Sequence, residues 1–363
     1  MAHIEKTDVE HLLATFIDPN HGVDLVTAKS VKEISLDGNN VTVKLELGYP
    51  AKSIIDALKA DVEQLIKTLA GVDSVVVEVT VKIISHAVQQ GLKPQANIKN
   101  IIAIASGKGG VGKSTTAVNI ALALSAEGAK VGIMDADIYG PSIPTMLGLS
   151  GRPDSLDNKT LMPKVAFDIQ TMSIGYLVEP DQAMIWRGPI ATNTLQQLLR
   201  DTNWHDIDYL IVDLPPGTGD IQLTLAQQIP VSGAIIVTTP QDIALLDAQR
   251  GLGMFTKVNV PVLGVVENMS LHICSACGHE EAIFGTGGGI AMSEKNQVDF
   301  LGSLPLDITI RLNADSGMPT VVADPECRPA QMYKDIARKA AAKLALKTKD
   351  FSTRFPSIVV QNT

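Results

Sequence analysis

Two hydrophobic rhythms alternate along this chain. Val9 to Ile17 places apolar residues at helical spacing, and Asp18-Pro19-Asn20-His21-Gly22 breaks it. Val31 to Ile34 and Val41 to Leu47 read as strands around the turn Asp37-Gly38-Asn39-Asn40. Ser53 to Leu69 is an amphipathic helix, and Val75 to Ile84 has the valine-rich composition of another strand. Residues 1–85 are therefore expected to form a small α/β domain. Residues 86–99 carry the polar, Gly- and Pro-containing composition of a linker.

From residue 100 the rhythm changes to strand, helix, strand. Apolar runs recur at Ile101 to Ala105, Val131 to Met134, Phe167 to Ile174, Ala183 to Trp186, Tyr209 to Asp213, Gly233 to Thr239 and Val262 to Val266. Helical patterns follow Thr115, span Ala191 to Arg200, and close the unit at Ala330 to Leu346. Gly128 suits the stop of the first of them. This alternation predicts an α/β fold over residues 100–346, a parallel sheet with helices on both faces. Residues 347–363 are expected to be a loosely ordered tail.

The first of these strands runs into Gly107-Lys108-Gly109-Gly110-Val111-Gly112-Lys113-Ser114, and a helix begins near Thr115. The spacing G-x-x-x-x-G-K-S in a strand–loop–helix setting is a P-loop. Glycines let successive backbone N–H groups turn inward around phosphate oxygens, and the helix N-terminus adds partial positive charge. Gly107, Gly109, Gly110, Val111, Gly112 and Thr115 are thus expected to line a nucleotide. Lys113 is expected to reach the β- and γ-phosphates, and the Ser114 hydroxyl to bind Mg²⁺.

Three acids stand at strand ends, where parallel sheets meet their ligands. Asp135 and Asp137 end one strand; either can face the nucleotide or cap a local turn. Asp213 ends a buried run in the Walker B arrangement and is expected to hold Mg²⁺ through water. Leu214-Pro215-Pro216-Gly217-Thr218-Gly219-Asp220 follows at once, a turn in which the Gly217 N–H can meet a γ-phosphate and Asp220 can act as an N-cap. Asn268 ends a later strand and also suits a turn.

Cys274 and Cys277 form a C-x-x-C pair. Two thiolates can chelate a soft metal, but a four-thiolate site needs two more. Several readings stay open: a cluster shared by two copies, a zinc site completed by His272 and His279, a redox dithiol, or inert thiols. Cys327 stands far along the chain beside proline and reads as structural.

Composition narrows the classes further. The chain of 363 residues is 45% hydrophobic and 19% charged, with a net charge of −9 that argues against a nucleic-acid partner. The N-terminus shows no apolar signal segment, and no apolar run is long enough to span a bilayer. Three cysteines make no disulfide framework. A cytoplasmic protein with no membrane partner is expected.

The motifs also resemble a known family. Lys108 makes the G-K-G-G-V-G-K-S form similar to the deviant Walker A signature of MinD, ParA and the nitrogenase iron protein. That resemblance implies a homodimer in which Lys108 reaches the partner subunit's nucleotide. Asp135 to Ser142 resembles switch I, with Asp137 positioning the hydrolytic water and Asp135 in support. The resemblance of residues 213–220 is to switch II of Mrp-type ATPases. It also implies that Asn268 contacts adenine, favouring ATP, as does the region around Leu304-Pro305-Leu306-Asp307. The segment Cys274 to Glu280 followed by Ile283 to Gly289 looks like the Mrp/ApbC-type iron–sulfur cluster carriers, a match covering nearly all of residues 98–345. It implies a [4Fe–4S] cluster bridging two subunits, slow ATP hydrolysis, and iron–sulfur apoproteins and assembly factors as partners, with Gly285 to Gly289 passing close to the other copy. Trp186-Arg187-Gly188-Pro189 resembles an Mrp-type motif without an assigned chemistry. Residues 1–85 resemble a domain found alone in iron–sulfur assembly factors, although Gly48-Tyr49-Pro50-Ala51 lacks their cysteine. The rival readings are a MinD/ParA-like nucleotide switch with structural zinc and a nitrogenase-like reductase.

Overall fold

The apolar runs pair into two separate sheets, one in each half of the expected organisation. The computed structural model describes residues 4–349 apart from 156, 158, 179–187 and 275. The expected strand Ala183 to Trp186, the segment through Arg187 and the tail from residue 350 lie outside the described residues.

In the first sheet, β1 (Val31–Asp37) and β2 (Asn40–Leu47) form an antiparallel hairpin, and β3 (Ser74–Val81) joins β2 in parallel. The period-2 pattern of β2 buries Val41, Val43, Leu45 and Leu47 on one face. That face packs on α1 (Lys6–Leu13) and α2 (Ile55–Ile66) through Val9, Leu13, Leu58, Val62 and Ile66. The first helix stops at Leu13, short of the Ile17 that its spacing suggests; Ile17 pairs instead with Asp24 in a two-residue ladder. The turn after it is tied by the buried Asp18 carboxylate, which accepts the Tyr49 hydroxyl at 2.7 Å and the Asn20 N–H at 2.9 Å.

The second sheet has eight strands: β4 (Ile98–Ala105), β5 (Val131–Asp135), β6 (Lys164–Ala166), β7 (Ile169–Ser173), β8 (Ile207–Asp213), β9 (Gly233–Thr238), β10 (Val262–Glu267) and β11 (Phe300–Ser303). Their spatial order is β11-β10-β9-β4-β8-β5-β7-β6, parallel throughout except for β6. One face packs against α3 (Lys113–Ala126) and α8 (Arg328–Ala345). The other packs against α4 (Gly188–Asp201), α5 (Asp220–Gln228), α6 (Asp242–Lys257) and α7 (Gly288–Asn296). This is the expected helix–sheet–helix sandwich. β6 and β7 replace the single strand expected at Phe167 to Ile174, because Phe167 and Asp168 take φ of 49° and 62° and turn the chain back.

Residues 86–99 differ from a free linker. The strand β4 already begins at Ile98, because the polar Asn100 is buried and its amide donates to Ile84 O and Asp208 O. Its carbonyl oxygen lies 2.9 Å from His86 Nδ1. Gln89 is also buried, donating to Ala226 O and Ile229 O and accepting from Val231 N, so it closes the C-terminal end of α5. Polar composition here reflects hydrogen bonding inside the fold, not solvation.

The two domains meet at the far end of α3. Glu127 caps that helix, and Gly128 follows at φ 98° as a helix stop requires. The buried Glu127 carboxylate accepts from Ser53 N at 2.9 Å, from Ser53 Oγ at 2.5 Å and from the Arg338 guanidinium of α8 at 2.6 Å. Lys52 N donates to the Glu127 carbonyl as well. Glu127→Ala strips Arg338 of its buried partner and leaves it only the exposed Asp335, so the loss is expected to approach the roughly 3 kcal/mol at the low end for breaking a buried pair. Chemical denaturation of the full chain is expected to show that loss; a change below about 1 kcal/mol, the value of a surface pair, would contradict it.

Candidate nucleotide and cluster site

β4 ends at Ala105 and the chain turns through the glycines into α3. Gly110 and Gly112 take φ of 81° and 82°, the left-handed region that glycine reaches without strain, and Gly112 is the N-cap of α3. Gly107 is required for another reason: a Cβ there would lie 2.1 Å from the Asp247 carbonyl carbon of α6. At Gly109 and Gly110 an added Cβ would meet nothing within 4 Å, leaving room for a ligand along the loop. Ser114 and Thr115 sit half-buried in the first turn of α3.

The Lys113 ammonium lies 2.5 Å from Asp213 Oδ1 and 3.2 Å from Ser114 Oγ, with lysine and aspartate both buried. The second oxygen of Asp213 is buried without a hydrogen-bond partner. Such an orphaned carboxylate oxygen is satisfied by a water on a hard cation, so Asp213 and Ser114 Oγ together fit Mg²⁺. Asp135 stands directly beside Asp213 in the β5–β8 register. Its carboxylate accepts from Asp137 N, Ile143 N and Ser173 Oγ, so it shapes the segment that carries Asp137. Burial and the neighbouring Asp213 carboxylate push Asp135 well above the usual carboxylate range. Asp137 is half-buried; burial raises its pKa, opposed by Lys113 and reinforced by Asp213.

Other expected residues are placed differently. Gly217, at φ 104°, gives its N–H to Ser106 O at 2.9 Å, so the group expected to meet a γ-phosphate is engaged within the chain. Gly219, not Asp220, is the N-cap of α5. Asn268 is buried and its Nδ2 donates to Val111 O at 2.8 Å, against the P-loop. The amide supports the loop from inside the protein. The Lys108 side chain is half-buried and makes no hydrogen bond or ion pair with the described residues, while its carbonyl accepts from Ser106 Oγ.

The cysteine pair lies on a small hairpin. His272–Ile273 pairs antiparallel with Glu280–Glu281, Cys274 N donates to His279 O, and Gly278 N donates to Cys274 O. Cys274 is half-buried and Cys277 exposed. Backbone N–H groups of Ala276 and Cys277 hydrogen-bond the Cys274 sulfur and hold its pKa below the ordinary thiol value, with a smaller contribution from His272. The hairpin therefore favours thiolate. His272 Nδ1 donates to Leu306 O at 3.0 Å, which fixes the tautomer and orientation of the ring. Among the described residues no cluster of three or more His, Cys, Asp and Glu side chains is arranged to hold a metal ion. Cys327 packs at the edge of the apolar core as N-cap of α8, and burial pushes its thiol up. Gly288 and Gly289 pack inside the chain, where a Cβ would lie 2.5 Å from Leu245 Cδ1 or 3.0 Å from Glu267 Oε2.

The composition of sequence motifs did not reveal Glu267, whose buried carboxylate accepts from Gly289 N at 2.6 Å. Its signal was an acid at the carboxyl end of a parallel strand, the same position as Asp135 and Asp213.

The fold and the loop define a P-loop NTPase. Comparison with known proteins agrees: residues 97–341 match the model of the NUBPL iron-transfer P-loop NTPase family, and residues 6–79 match that of the iron–sulfur cluster assembly protein domain. The chain belongs to the NUBPL iron-transfer P-loop NTPase family. It is 51% identical over 336 residues to the iron–sulfur cluster carrier protein of Escherichia coli strain K12, covering 92% of this chain and 90% of that one. It is 48% identical over 254 residues to the mouse iron–sulfur cluster transfer protein NUBPL, covering 69% of this chain and 80% of the relative. Among solved structures it resembles a nucleotide-binding protein of Archaeoglobus fulgidus in complex with ADP, at 35% identity and a TM-score of 0.56, over 64% of this chain and 90% of that one.

Lys113→Ala removes the buried cation of the site. Charge-assisted hydrogen bonds contribute about 1.5 to 3 kcal/mol, so Mg-nucleotide affinity is expected to fall roughly tenfold to a hundredfold. Fluorescence titration with a labelled nucleotide measures it, and unchanged affinity would contradict the placement of phosphate at this loop.

Proposed function

We propose that the chain is an ATP-binding and ATP-hydrolysing carrier that assembles a [4Fe–4S] cluster between two copies of itself and passes it to iron–sulfur apoproteins. The observation that carries this reading is the hairpin: one chain offers two accessible thiols, one of them biased toward thiolate, without further ligands among the described residues. Two such hairpins facing each other supply the four thiolates that a cluster takes. The same end of the molecule exposes Ile243 and Leu246 on α6, Ile290 on α7, and Ile283 and Phe284 beside the hairpin. Apolar side chains in that number favour a protein partner, and a second copy is the simplest one.

Within each copy, the P-loop amides, Lys113 and Ser114 hold the phosphates, and Asp213 holds Mg²⁺ through water. Asp213 and Ser114 would hold Mg²⁺, which would supply charge to neutralise the phosphates, and Lys113 would then be free to turn from Asp213 toward them. Asp137, its pKa raised, orients the attacking water and can accept its proton. Lys108, with no side-chain partner among the described residues, completes the nucleotide site of the other copy. Hydrolysis is slow, since a switch depends on the persistence of its bound state. No helix among the described residues is long and apolar enough to cross a membrane, and the three cysteines are free thiols, consistent with work in the cytoplasm alongside assembly factors.

Anaerobic reconstitution with iron and sulfide tests the reading. Wild type is expected to take up about four irons per pair of chains, and Cys274→Ala and Cys277→Ala to take up almost none. Zinc uptake alone, or iron uptake that survives loss of either cysteine, would replace the carrier with a nucleotide switch built around another metal.

A further inference from the structure

The cysteine hairpin belongs to an excursion that leaves the sheet after Glu267 and returns to α7 at Gly288. Glu267 holds both arms of its base. Its side chain accepts from Gly289 N at 2.6 Å in the first turn of α7, and its backbone carbonyl accepts from Leu304 N at 2.9 Å. The outgoing arm is then laced to the residues after β11: Ser270 N donates to Leu304 O, Leu306 N to Leu271 O, and His272 Nδ1 to Leu306 O. Two residues further on stands Cys274. The carboxylate is 2% exposed, and a carboxylate–amide bond out of water is among the stronger single contacts in a protein. Gly289 is fitted to it, since a Cβ there would sit 3.0 Å from Glu267 Oε2 and 3.1 Å from Phe300.

The neighbouring residue faces the nucleotide site. Asn268 Nδ2 donates to Val111 O in the middle of the P-loop, and Asn268 N donates to Thr238 O at the end of β9. Two consecutive residues therefore join the phosphate loop to the frame of the thiols, and none of these bonds involves switch II.

We infer that Glu267 is a positioning residue that keeps the base of the cysteine excursion in register with the P-loop, so that nucleotide binding at Val111 alters the exposure of Cys274 and Cys277. The inference deepens the carrier reading and rests on it for the purpose of the coupling, though not for its detection. A displacement of the loop carries Asn268 with it; Glu267, on the same strand end, carries α7 and the Leu304 to Leu306 lacing. A carboxylate that merely capped α7 would stabilise the helix without making the thiols sense nucleotide.

The test uses the metal-free full-length protein. The alkylation rates of Cys274 and Cys277 by iodoacetamide are followed by peptide mass spectrometry, with and without Mg²⁺ and a non-hydrolysable ATP analogue. Cys327 serves as the control for unfolding. In wild type the nucleotide is expected to change the rate at the pair by about fivefold or more, the lower range of site-to-site coupling. Glu267→Ala is expected to bring the two rates together while nucleotide affinity stays near wild type. Glu267→Gln, which retains an acceptor for Gly289 N, is expected to restore most of the response. Gly289→Ala, which presses on the carboxylate from the other side, is expected to weaken it. A wild type that binds nucleotide without any change at the thiols overturns the inference, as does a Glu267→Ala variant with the full response. Failure of the wild type to take up iron while its thiols still respond removes the carrier reading and supports the relay.

Discussion

Two carboxylates and one ammonium meet, all buried, at the carboxyl edge of the parallel sheet. Asp135 and Asp213 are forced side by side by the register of their strands, and Lys113 is the cation within reach of Asp213. Like charges at that distance are costly in a low-dielectric interior. The arrangement is stable because Asp135 is satisfied by Asp137 N, Ile143 N and Ser173 Oγ while Lys113 neutralises Asp213. The same arrangement is incomplete, with Asp213 Oδ2 unpaired. A site poised in this way favours ligands that bring both phosphate for the lysine and a divalent cation for the aspartate.

The helix that presents Lys113 also carries the rest of the molecule. It has 14 residues, so its ends lie about 20 Å apart. One end faces the phosphate loop; at the other, Glu127 fastens the small domain through Ser53 and the last helix through Arg338. Residues 86–97 add a second seam, with Gln89 closing α5. The small domain and the segment after it are thus each fastened to the P-loop domain, at Glu127 and at Gln89. On the opposite edge, Glu267 and Asn268 tie that site to the cysteine hairpin.

Much of this was legible in the chain itself. The P-loop glycines, the acids at strand ends and the strand–helix alternation are local signals, each set by backbone sterics or by periodicity. What escaped were residues whose partners come from distant segments. His86 and Gln89 read as linker because polarity alone does not show that a buried partner awaits them. The bond from Asn268 Nδ2 to Val111 O has no local signal either, because 157 residues separate its two ends. Phe167 and Asp168 hid a hairpin by taking positive φ without a glycine to announce it. The cysteine spacing leaves zinc and cluster both open, because a C-x-x-C pair supplies two thiolates and does not name the remaining ligands.

The most direct measurement is the iron anomalous signal in crystals of the reconstituted protein with Mg²⁺ and nucleotide. A carrier built from two copies places that signal on the twofold axis, within bonding distance of Cys274 and Cys277 from each chain, with nucleotide phosphates at Lys113. A metal confined to one chain, bound by the cysteines with His279 and away from any twofold axis, would contradict it.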